Sequence, residues 1–180
     1  MSTTPRSRLL ELFKQRAFSF GDFTLASGKK STYYINSKKA IFHSEAVALL
    51  GELLWDATEN LDIQAMGGLE VGAIPMAAAA AMRYHQEGRN LEGFFVRKEA
   101  KSHGSKERIE GVLQPGVRVA MVDDVLTTGG SVLQAIEEVE KRGAVVKAVI
   151  CIVDRLEGAR ELLAPRYPYS PLYTIRDFGV

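Results

Sequence analysis

The distribution of apolar residues predicts a chain in which helices and strands alternate. Near the N-terminus, Leu9, Leu10 and Phe13 recur at helical spacing after Thr4 and Pro5, a pair typical of a helix start. Residues 18–36 are rich in serine, threonine, glycine and aromatic side chains, which indicates a strand-and-turn segment. The pattern predicts further helices from residue 44, over 75–84 and over 130–142, and strands over 63–66, 93–96, 117–122 and 145–153.

The predicted central strands are apolar without interruption and do not alternate between apolar and polar residues. Strands of this kind are buried on both faces, as in a parallel sheet covered by helices. We therefore expect an α/β fold with a central parallel sheet flanked by helices, in a single domain spanning residues 1–180. Because ligands of such sheets bind beyond the carboxyl ends of the strands, the functional residues should follow strands directly.

Composition and charge narrow the function classes. Hydrophobic residues make up 46% of the 180 residues and charged residues 25%, a balance typical of a globular domain with a real core. The formal net charge of +1 does not indicate a nucleic-acid-binding protein. The single cysteine, Cys151, cannot form an internal disulfide. No stretch approaches the roughly 20 apolar residues of a membrane span, and no signal peptide is visible, so we expect a cytoplasmic protein without a membrane or nucleic-acid partner.

The segment VAMVDDVLTTGGS, residues 119–131, carries the strongest chemical signal. Asp123 and Asp124 follow a buried strand, and after Val125 and Leu126 comes a polar run that opens a helix: Thr127, Thr128, Gly129, Gly130 and Ser131. Glycines let the backbone approach a ligand, and free N–H groups at a helix start favour a phosphate. With its hydroxyl donors, this loop is a candidate cradle for a monophosphate.

The adjacent carboxylates point to a different part of the ligand. Two acids in contact with a phosphate would repel it, so Asp123 and Asp124 make sense against sugar hydroxyls or a metal ion. Magnesium favours carboxylate, water and substrate oxygens. The segment has neither the lysine of a P-loop nor the spacing of a dinucleotide fingerprint, which separates it from both of those motifs.

The same segment resembles the phosphoribosyl diphosphate signature of the type I phosphoribosyltransferases. The resemblance implies that Asp123 and Asp124 meet the ribose hydroxyls and that residues 127–131 wrap the 5′-phosphate. It also places Val125 and Leu126 among the residues that bind phosphoribosyl diphosphate. It also implies Mg²⁺ as the cofactor. The ion would be held mainly by substrate oxygens, with Asp123 or Asp124 as the protein groups within reach and no directly assigned protein ligand.

A basic segment, FVRKEAKSHGSKERIEG at residues 95–111, contains little apolar material after its first residues. It cannot bury a face, so we expect an exposed, mobile loop over residues 97–111. The RKEAKSHG part resembles the catalytic loop of the orotate phosphoribosyltransferases. The resemblance implies that four side chains contact the diphosphate, namely Arg97, Lys98, Lys101 and His103. It makes Lys101 the main catalytic residue of the loop, together with the acid pair, and implies a homodimer whose active sites are shared across the interface.

The segment FTLASGKKSTYYIN, residues 23–36, resembles the N-terminal substrate hood of the same enzymes, which we expect over residues 18–40. Tyr33 and Tyr34 are candidates for contact with a flat pyrimidine. Arg155 follows the last apolar strand and is suited to a bidentate contact with the carboxylate of orotate. The resemblance assigns orotate contacts to Arg155, to both tyrosines and to Thr127.

Two positions depart from the pattern of many bacterial members. Residues 67–75, GGLEVGAIP, resemble the diphosphate-binding turn, whose backbone N–H groups can form an anion nest. Val71 stands near the place of a lysine in that turn, and Ala26 stands where the hood often has another. Lys29 or Lys30 is a candidate replacement in the hood, and the sequence offers none for the turn.

The resemblance as a whole implies an orotate phosphoribosyltransferase. Such an enzyme transfers the phosphoribosyl group from 5-phospho-α-D-ribose 1-diphosphate to orotate. One alternative is a phosphoribosyltransferase for another nucleobase, which would share the sugar-phosphate site and differ in the hood and near Arg155. Another is a non-catalytic regulator of the same fold that senses the phosphosugar.

Overall fold

The computed structural model describes residues 4–24, 30–99 and 107–180. Its helices are α1 (Pro5–Arg16), α2 (Lys38–Ile41), α3 (Ser44–Thr58), α4 (Ala73–Gln86), α5 (Gly130–Lys141) and α6 (Ala159–Leu163), followed by a 3-10 turn at Ile175–Phe178. Its strands are β1 (Phe18–Thr24), β2 (Lys30–Ile35), β3 (Ala65–Leu69), β4 (Glu92–Val96), β5 (Ile109–Gly111), β6 (Arg118–Leu126), β7 (Val145–Asp154) and β8 (Tyr169–Thr174). None of the helices in these ranges has the length and apolar character needed to cross a membrane.

Strands β3 to β8 form one sheet in the order β5-β4-β3-β6-β7-β8. Every neighbouring pair is parallel except β4 and β5, which are antiparallel. The predicted α/β class with a central parallel sheet is therefore confirmed, with one antiparallel strand added at an edge. The order places β6 in the middle of the sheet, where its carboxyl end is flanked by β3 and β7.

The sheet separates two hydrophobic cores, and alternate residues of β6 enter each of them. Ala120 and Val122 belong to the core that contains the buried residues of α1, α3 and α4. Val119 and Met121 belong to the core under α5 and α6. Burial on both faces explains why the strand is apolar without interruption.

Helix α1 begins where the sequence predicts. The hydroxyl of Thr4 accepts a hydrogen bond from the backbone N–H of Ser7 at 3.1 Å, and Pro5 is the first helical residue. Leu9 and Phe13 are fully buried in the first core. The predicted apolar face of the helix is thus the face that packs.

The boundary differences that matter most for the site lie in β3, β6 and α4. Strand β3 runs through Gly67 and Gly68, because both glycines continue the parallel ladder with β4. Strand β6 does not end at residue 122 but continues to Leu126, because its ladder with β7 continues to that residue. Helix α4 begins at Ala73, two residues before Pro75.

The basic segment is shorter as a loop than predicted. Its last residues, Ile109–Gly111, form β5 and pair with β4, so the prediction of a loop over 97–111 is wrong at its C-terminal end. Strand β8, at the opposite edge of the sheet, was not predicted. Pro171 and the polar residues near it weaken the sequence signal for a strand there, although proline is tolerated at an edge.

The N-terminal hairpin β1–β2 is separate from the main sheet. Its base is fixed where the rings of Phe18 and Phe178 stack with centroids 4.2 Å apart. Exposure alternates along β2, so Tyr33 is half-buried and Tyr34 is exposed on the other face. The hairpin agrees with the strand-and-turn prediction, and its residues 25–29 lie outside the described ranges.

Candidate active site

Strand β6 carries Asp123 and Asp124 to the carboxyl end of the central strands. The two residues are only 9% and 7% exposed. The Oδ1 atom of Asp123 accepts a hydrogen bond from the backbone N–H of Asp124 at 2.9 Å, and the Oδ1 atom of Asp124 accepts one from Val125 at 3.0 Å. Two adjacent acids are thus held in fixed orientations at the edge where parallel sheets bind ligands.

Asp124 has further partners on its Oδ2 atom. The hydroxyl of Ser37 donates a hydrogen bond to it, and the Nζ atom of Lys38 lies 3.1 Å away. On another side the carboxyl group abuts Gly72, where a Cβ would come within 2.4 Å of the Asp124 Cγ atom. Gly72 therefore permits the turn before α4 to pass directly against this carboxylate.

The two acids differ in how readily they ionise. Burial raises the pKa of Asp123 well above its ordinary value, and the charge of Asp124 raises it further. Burial also acts to raise the pKa of Asp124, but the hydrogen bond from Ser37 and the positive charge of Lys38 together hold that pKa below its ordinary value. Asp124 is therefore the acid that stays ionised, and Asp123 is the one for which ionisation is costly.

Asp123→Asn is expected to raise the melting temperature at pH 7–8 by roughly 2–4 °C, which corresponds to about 1 kcal/mol for a chain of this length. The folded pKa of Asp123 is raised, so ionisation above the unfolded pKa of about 3.9 costs stability that asparagine avoids. The difference should shrink as the pH falls toward 4. Thermal melts without substrate or Mg²⁺ test this, with Asp124→Asn as the matched control that should lower the melting temperature.

The loop between β6 and α5 has the geometry of an anion site. Gly129 has a φ of 80°, in the left-handed region, and directly precedes the first residue of α5. In the described ranges no side chain caps this helix, so its first N–H groups are open to an anion. Thr128 and Ser131 are exposed at the same point, and Thr127 and Gly130 are half-buried.

Val125 and Leu126, the last two residues of β6, have a different role from the loop that follows them. Val125 packs against the first core, and Leu126, 2% exposed, lies in the second. Their side chains are therefore committed to packing. Any contact of these two residues with a ligand would come from their backbone groups.

The turn between β3 and α4 is tied to the described ends of the basic segment. The peptide bond between Glu70 and Val71 is cis. The Oε1 atom of Glu70 accepts a hydrogen bond from the backbone N–H of Lys98 at 2.9 Å. The backbone N–H of Arg97 donates to the carbonyl of Arg108 at 2.7 Å, which closes the base of the segment. The residues around 97–98 and 108 thus stand beside the turn that resembles a diphosphate site.

Arg155 connects the hairpin with the end of β6, directly before the phosphate loop. Its Cζ atom lies 5.1 Å from the ring centroid of Tyr33, over the ring. Its Nε atom is 2.9 Å from the Oε1 atom of Glu157, and its backbone N–H donates to the carbonyl of Leu126 at 2.9 Å. The guanidinium group and the Tyr33 ring are therefore placed together at the end of β7.

Not every predicted residue joins this assembly. Tyr34 faces away from Arg155 and has its ring centroid 5.7 Å from that of Phe23. The Nζ atom of Lys30 donates to the Thr24 hydroxyl at 2.8 Å, across the hairpin. Four further residues lie outside the described ranges, so what was predicted of them stays a prediction: Ala26, Lys29, Lys101 and His103.

Sequence reasoning missed Ser37 and Lys38. Lys38 contacts Asp124 across 86 positions of sequence, and neither residue follows a strand of the main sheet. A lysine beside a second lysine is ordinarily a solvated surface charge. The one available signal was their position within residues 18–40, the range expected for the hood.

Comparisons with known proteins agree with this geometry. Residues 39–172 match the family model described as the phosphoribosyl transferase domain. The chain is 43% identical over 178 residues to the orotate phosphoribosyltransferase of Bradyrhizobium sp. (strain BTAi1), with 96% of each chain covered. A crystal structure of Mycobacterium tuberculosis H37Rv orotate phosphoribosyltransferase in complex with Fe(III) dicitrate superposes with a TM-score of 0.87 at 38% identity, covering 98% of this chain and 100% of that one. The same enzyme in complex with 5-phospho-α-D-ribosyl 1-diphosphate gives a TM-score of 0.83 at 34% identity, with the same coverage.

Proposed function

The chain belongs to the phosphoribosyltransferases and, among them, to the orotate phosphoribosyltransferases, and on that premise we propose how its residues hold the two substrates. The reaction transfers the 5-phosphoribosyl group from 5-phospho-α-D-ribose 1-diphosphate (PRPP) to orotate. The products are orotidine 5′-monophosphate and diphosphate, a step of pyrimidine biosynthesis. The relatives compared above are orotate phosphoribosyltransferases, which favours this reaction over the alternatives of another nucleobase or a purely regulatory role.

PRPP is bound along β6 and the start of α5. The carboxylates of Asp123 and Asp124 accept hydrogen bonds from the ribose hydroxyls, and the loop 127–131 binds the 5′-phosphate through backbone N–H groups and hydroxyls. The open N-terminus of α5 and the fixed carboxylates support this placement. The diphosphate then extends toward the turn at residues 70–72, beside Lys98.

Orotate is bound between the hood and the end of β7. Arg155 pairs with its carboxylate, and the Tyr33 ring lies against the pyrimidine, with Thr127 at the boundary to the sugar. The observation that carries this proposal is that the backbone N–H of Arg155 donates to the carbonyl of Leu126, the residue directly before the phosphate loop. The proposed base site and the proposed sugar site are therefore directly linked through the backbone. Tyr34 contributes from the outer face of the hairpin only if the hood rearranges when substrate binds.

The basic segment supplies charge to the leaving group. As diphosphate departs from C1, the ribose develops cationic character and negative charge grows on the diphosphate. Arg97, Lys98, Lys101 and His103 stabilise that charge, with Lys101 as the main catalytic residue. The hydrogen bond from Lys98 to Glu70 supports this assignment, because it brings the start of the segment to the turn that faces the diphosphate.

Magnesium fits the donor set at this edge of the sheet. The described residues include no group of three or more potential metal ligands, whereas Asp123 and Asp124 offer carboxylate oxygens at the ribose site. One or two carboxylates combined with substrate oxygens is an arrangement that Mg²⁺ commonly adopts. Asp123 or Asp124 would hold the ion there, and the bound ion would neutralise charge on the diphosphate.

The cytoplasmic location of the protein stays a prediction.

Lys38 belongs to the PRPP site as well. Its ammonium group contacts Asp124, and the Asp124 carboxyl group abuts Gly72 in the diphosphate turn. The Lys38 side chain is 52% exposed, so its flexible stem allows the ammonium group to meet an incoming anion as well as Asp124. Lys38 thus places a positive charge near the turn in which Val71 provides none.

Lys38→Met is expected to raise the KM for PRPP about tenfold, equivalent to ~1.4 kcal/mol of lost binding, with a much smaller change in kcat. Lys38→Arg should keep most of the affinity because it keeps the charge. Lys39→Met is the matched control, since Lys39 is an exposed lysine at the next position of α2. Steady-state kinetics with PRPP varied at saturating orotate measure the effect. Equal KM values for Lys38→Met and Lys39→Met would show that Lys38 does not contribute to the PRPP site.

The proposed homodimer would form through an apolar surface on α4, β4 and β5. Ile74 and Met82 are 37% and 48% exposed along α4, and Val71 is 48% exposed just before it. Beside them a groove of about 240 Å³ is lined mostly by apolar residues of the three elements, among them Ala78 and Phe95. Exposed apolar area of this kind is typical of interaction surfaces. Since β5 is also the end of the basic segment, a second copy docked here would stand close to residues 107–111.

The activity is tested by mixing the purified protein with orotate, PRPP and Mg²⁺ and following the loss of orotate absorbance. We expect orotate consumption that requires both PRPP and Mg²⁺, with diphosphate released in equal amount. Uracil, adenine and guanine in place of orotate serve as matched controls, because they lack the carboxylate that Arg155 would bind. Turnover of one of these bases without turnover of orotate would overturn the assignment.

A further inference from the structure

Asp154, the last residue of β7, is a fully buried acid next to Arg155. Both of its carboxylate oxygens have partners. The Oδ1 atom accepts a hydrogen bond from the backbone N–H of Leu156 at 2.7 Å, and the Oδ2 atom accepts one from the hydroxyl of Tyr169 at 2.9 Å. The residues on either side of Arg155 in sequence are therefore linked by one carboxylate, which is itself held by a side chain from β8.

The backbone after Arg155 takes an unusual conformation. Leu156 has a φ of 57°, in the left-handed region that residues other than glycine rarely adopt. Its N–H is bonded to Asp154, and the N–H of Arg155 is bonded to the carbonyl of Leu126. Arg155 thus leaves the sheet in a direction fixed by these two hydrogen bonds, and its guanidinium lies over Tyr33.

Tyr169 is well suited to hold Asp154. Burial raises the pKa of its hydroxyl, and contact with Cys151 raises it further, so the hydroxyl stays protonated and donates. The Sγ atom of Cys151 lies 3.5 Å from that hydroxyl, and burial raises the pKa of the thiol to about 12. On the outer side, the guanidinium carbon of Arg160 lies 5.3 Å from the centroid of the Tyr169 ring, over the ring. The tyrosine is held from two sides while its proton points at Asp154.

We propose that Tyr169 is a positioning residue for orotate recognition: its hydroxyl fixes the Asp154 carboxylate, and that carboxylate fixes the turn that aims Arg155 at the base. The inference rests on the proposed contact between Arg155 and the carboxylate of orotate. A guanidinium that is already oriented loses less freedom when it forms a bidentate pair, so the benefit appears as affinity for orotate. PRPP is bound through other residues, and its affinity does not depend on this hydroxyl.

Tyr169→Phe removes the hydroxyl and keeps the ring. We expect the KM for orotate to rise about tenfold, because Asp154 loses its second partner and the turn after Arg155 loosens. The KM for PRPP should stay within about twofold of the wild-type value. Tyr167→Phe is the matched control: its hydroxyl also donates to a carboxylate, Glu140 at 3.0 Å, but that pair involves α5 and not the Asp154 turn. This control should leave both KM values unchanged.

Arg155→Ala and Arg155→Lys complete the experiment and separate the inference from the function on which it rests. If Arg155→Ala raises the KM for orotate but Tyr169→Phe behaves like Tyr167→Phe, the positioning role is wrong and the orotate contact stands. If Tyr169→Phe raises both KM values equally, the hydroxyl only stabilises the fold and the inference is also overturned. If Arg155→Ala leaves the KM for orotate unchanged, both statements fail. Direct titration of PRPP binding to Tyr169→Phe shows that the variant is folded.

Discussion

Lys101→Ala is expected to reduce kcat by roughly a hundredfold or more, which is the usual cost of losing one preorganised group that stabilises developing charge. The proposed role of Lys101 is to meet the negative charge that grows on diphosphate as its bond to C1 breaks. This charge is larger in the transition state than in bound PRPP, so the loss should appear mainly in kcat and less in KM. Single-turnover and steady-state assays in the forward direction measure it.

Lys106→Ala is the control for this prediction, because it removes a lysine from the same basic segment but outside the RKEAKSHG motif. It should retain a kcat within about threefold of wild type, as expected for a surface charge. The melting temperatures of both variants should match that of the parent protein, since residues 100–106 contain a single apolar side chain. A Lys101→Ala enzyme with near-normal kcat would show that the catalytic lysine has been misassigned.

Mixing Lys101→Ala chains with Arg155→Ala chains is expected to give more activity, at an orotate concentration below the KM of Arg155→Ala, than either variant gives alone. If the basic segment closes over the partner subunit's site, a heterodimer contains one site with both residues intact and one with neither. Random pairing then yields up to about one quarter of the wild-type activity, because half of the dimers are mixed and half of their sites work. The assay is forward turnover after the chains are exchanged by mild denaturation and refolding.

A reciprocal mixture shows whether the two residues of a site come from one subunit or from two. Wild-type chains are mixed with chains that carry both Lys101→Ala and Arg155→Ala. If each site takes the two residues from different subunits, the mixed dimers contain no working site. If both residues come from a single subunit, each mixed dimer contains one working site. For the mixture of the two single variants, mixed dimers verified by two affinity tags but showing no rescue would contradict donation across the interface.

Replacing Ile74 and Met82 with glutamine should weaken the dimer if the α4 surface forms the interface, as sedimentation would show.

Much of the fold follows from local rules that act along the sequence. The uninterrupted apolar runs around Val122 and Ile150 predict buried parallel strands because each residue faces one of two cores. The Thr4 cap was predictable because a hydroxyl can satisfy only nearby N–H groups of a helix start. The acid pair and Arg155 were found because catalytic residues of parallel sheets follow strand ends.

Other parts of the site depend on contacts that no local pattern encodes. Lys38 and Ser37 reach Asp124 only after α2 has packed near the end of β6, and Tyr169 reaches Asp154 only after β8 has paired with β7. Tyr33 and Tyr34 are a different case, because the alternation of side chains along a strand places adjacent residues on opposite faces. That rule, applied to the hood, would have favoured one tyrosine over the pair.

A crystal structure of this protein with PRPP and Mg²⁺ tests the central claim most directly. The account predicts both ribose hydroxyls within hydrogen-bond distance of the carboxylates of Asp123 and Asp124. It predicts the 5′-phosphate against the backbone N–H groups of residues 127–131, and the diphosphate at the turn around Gly72 with Lys38 beside it. A 5′-phosphate bound away from the start of α5, or a ribose that contacts neither acid, would contradict it.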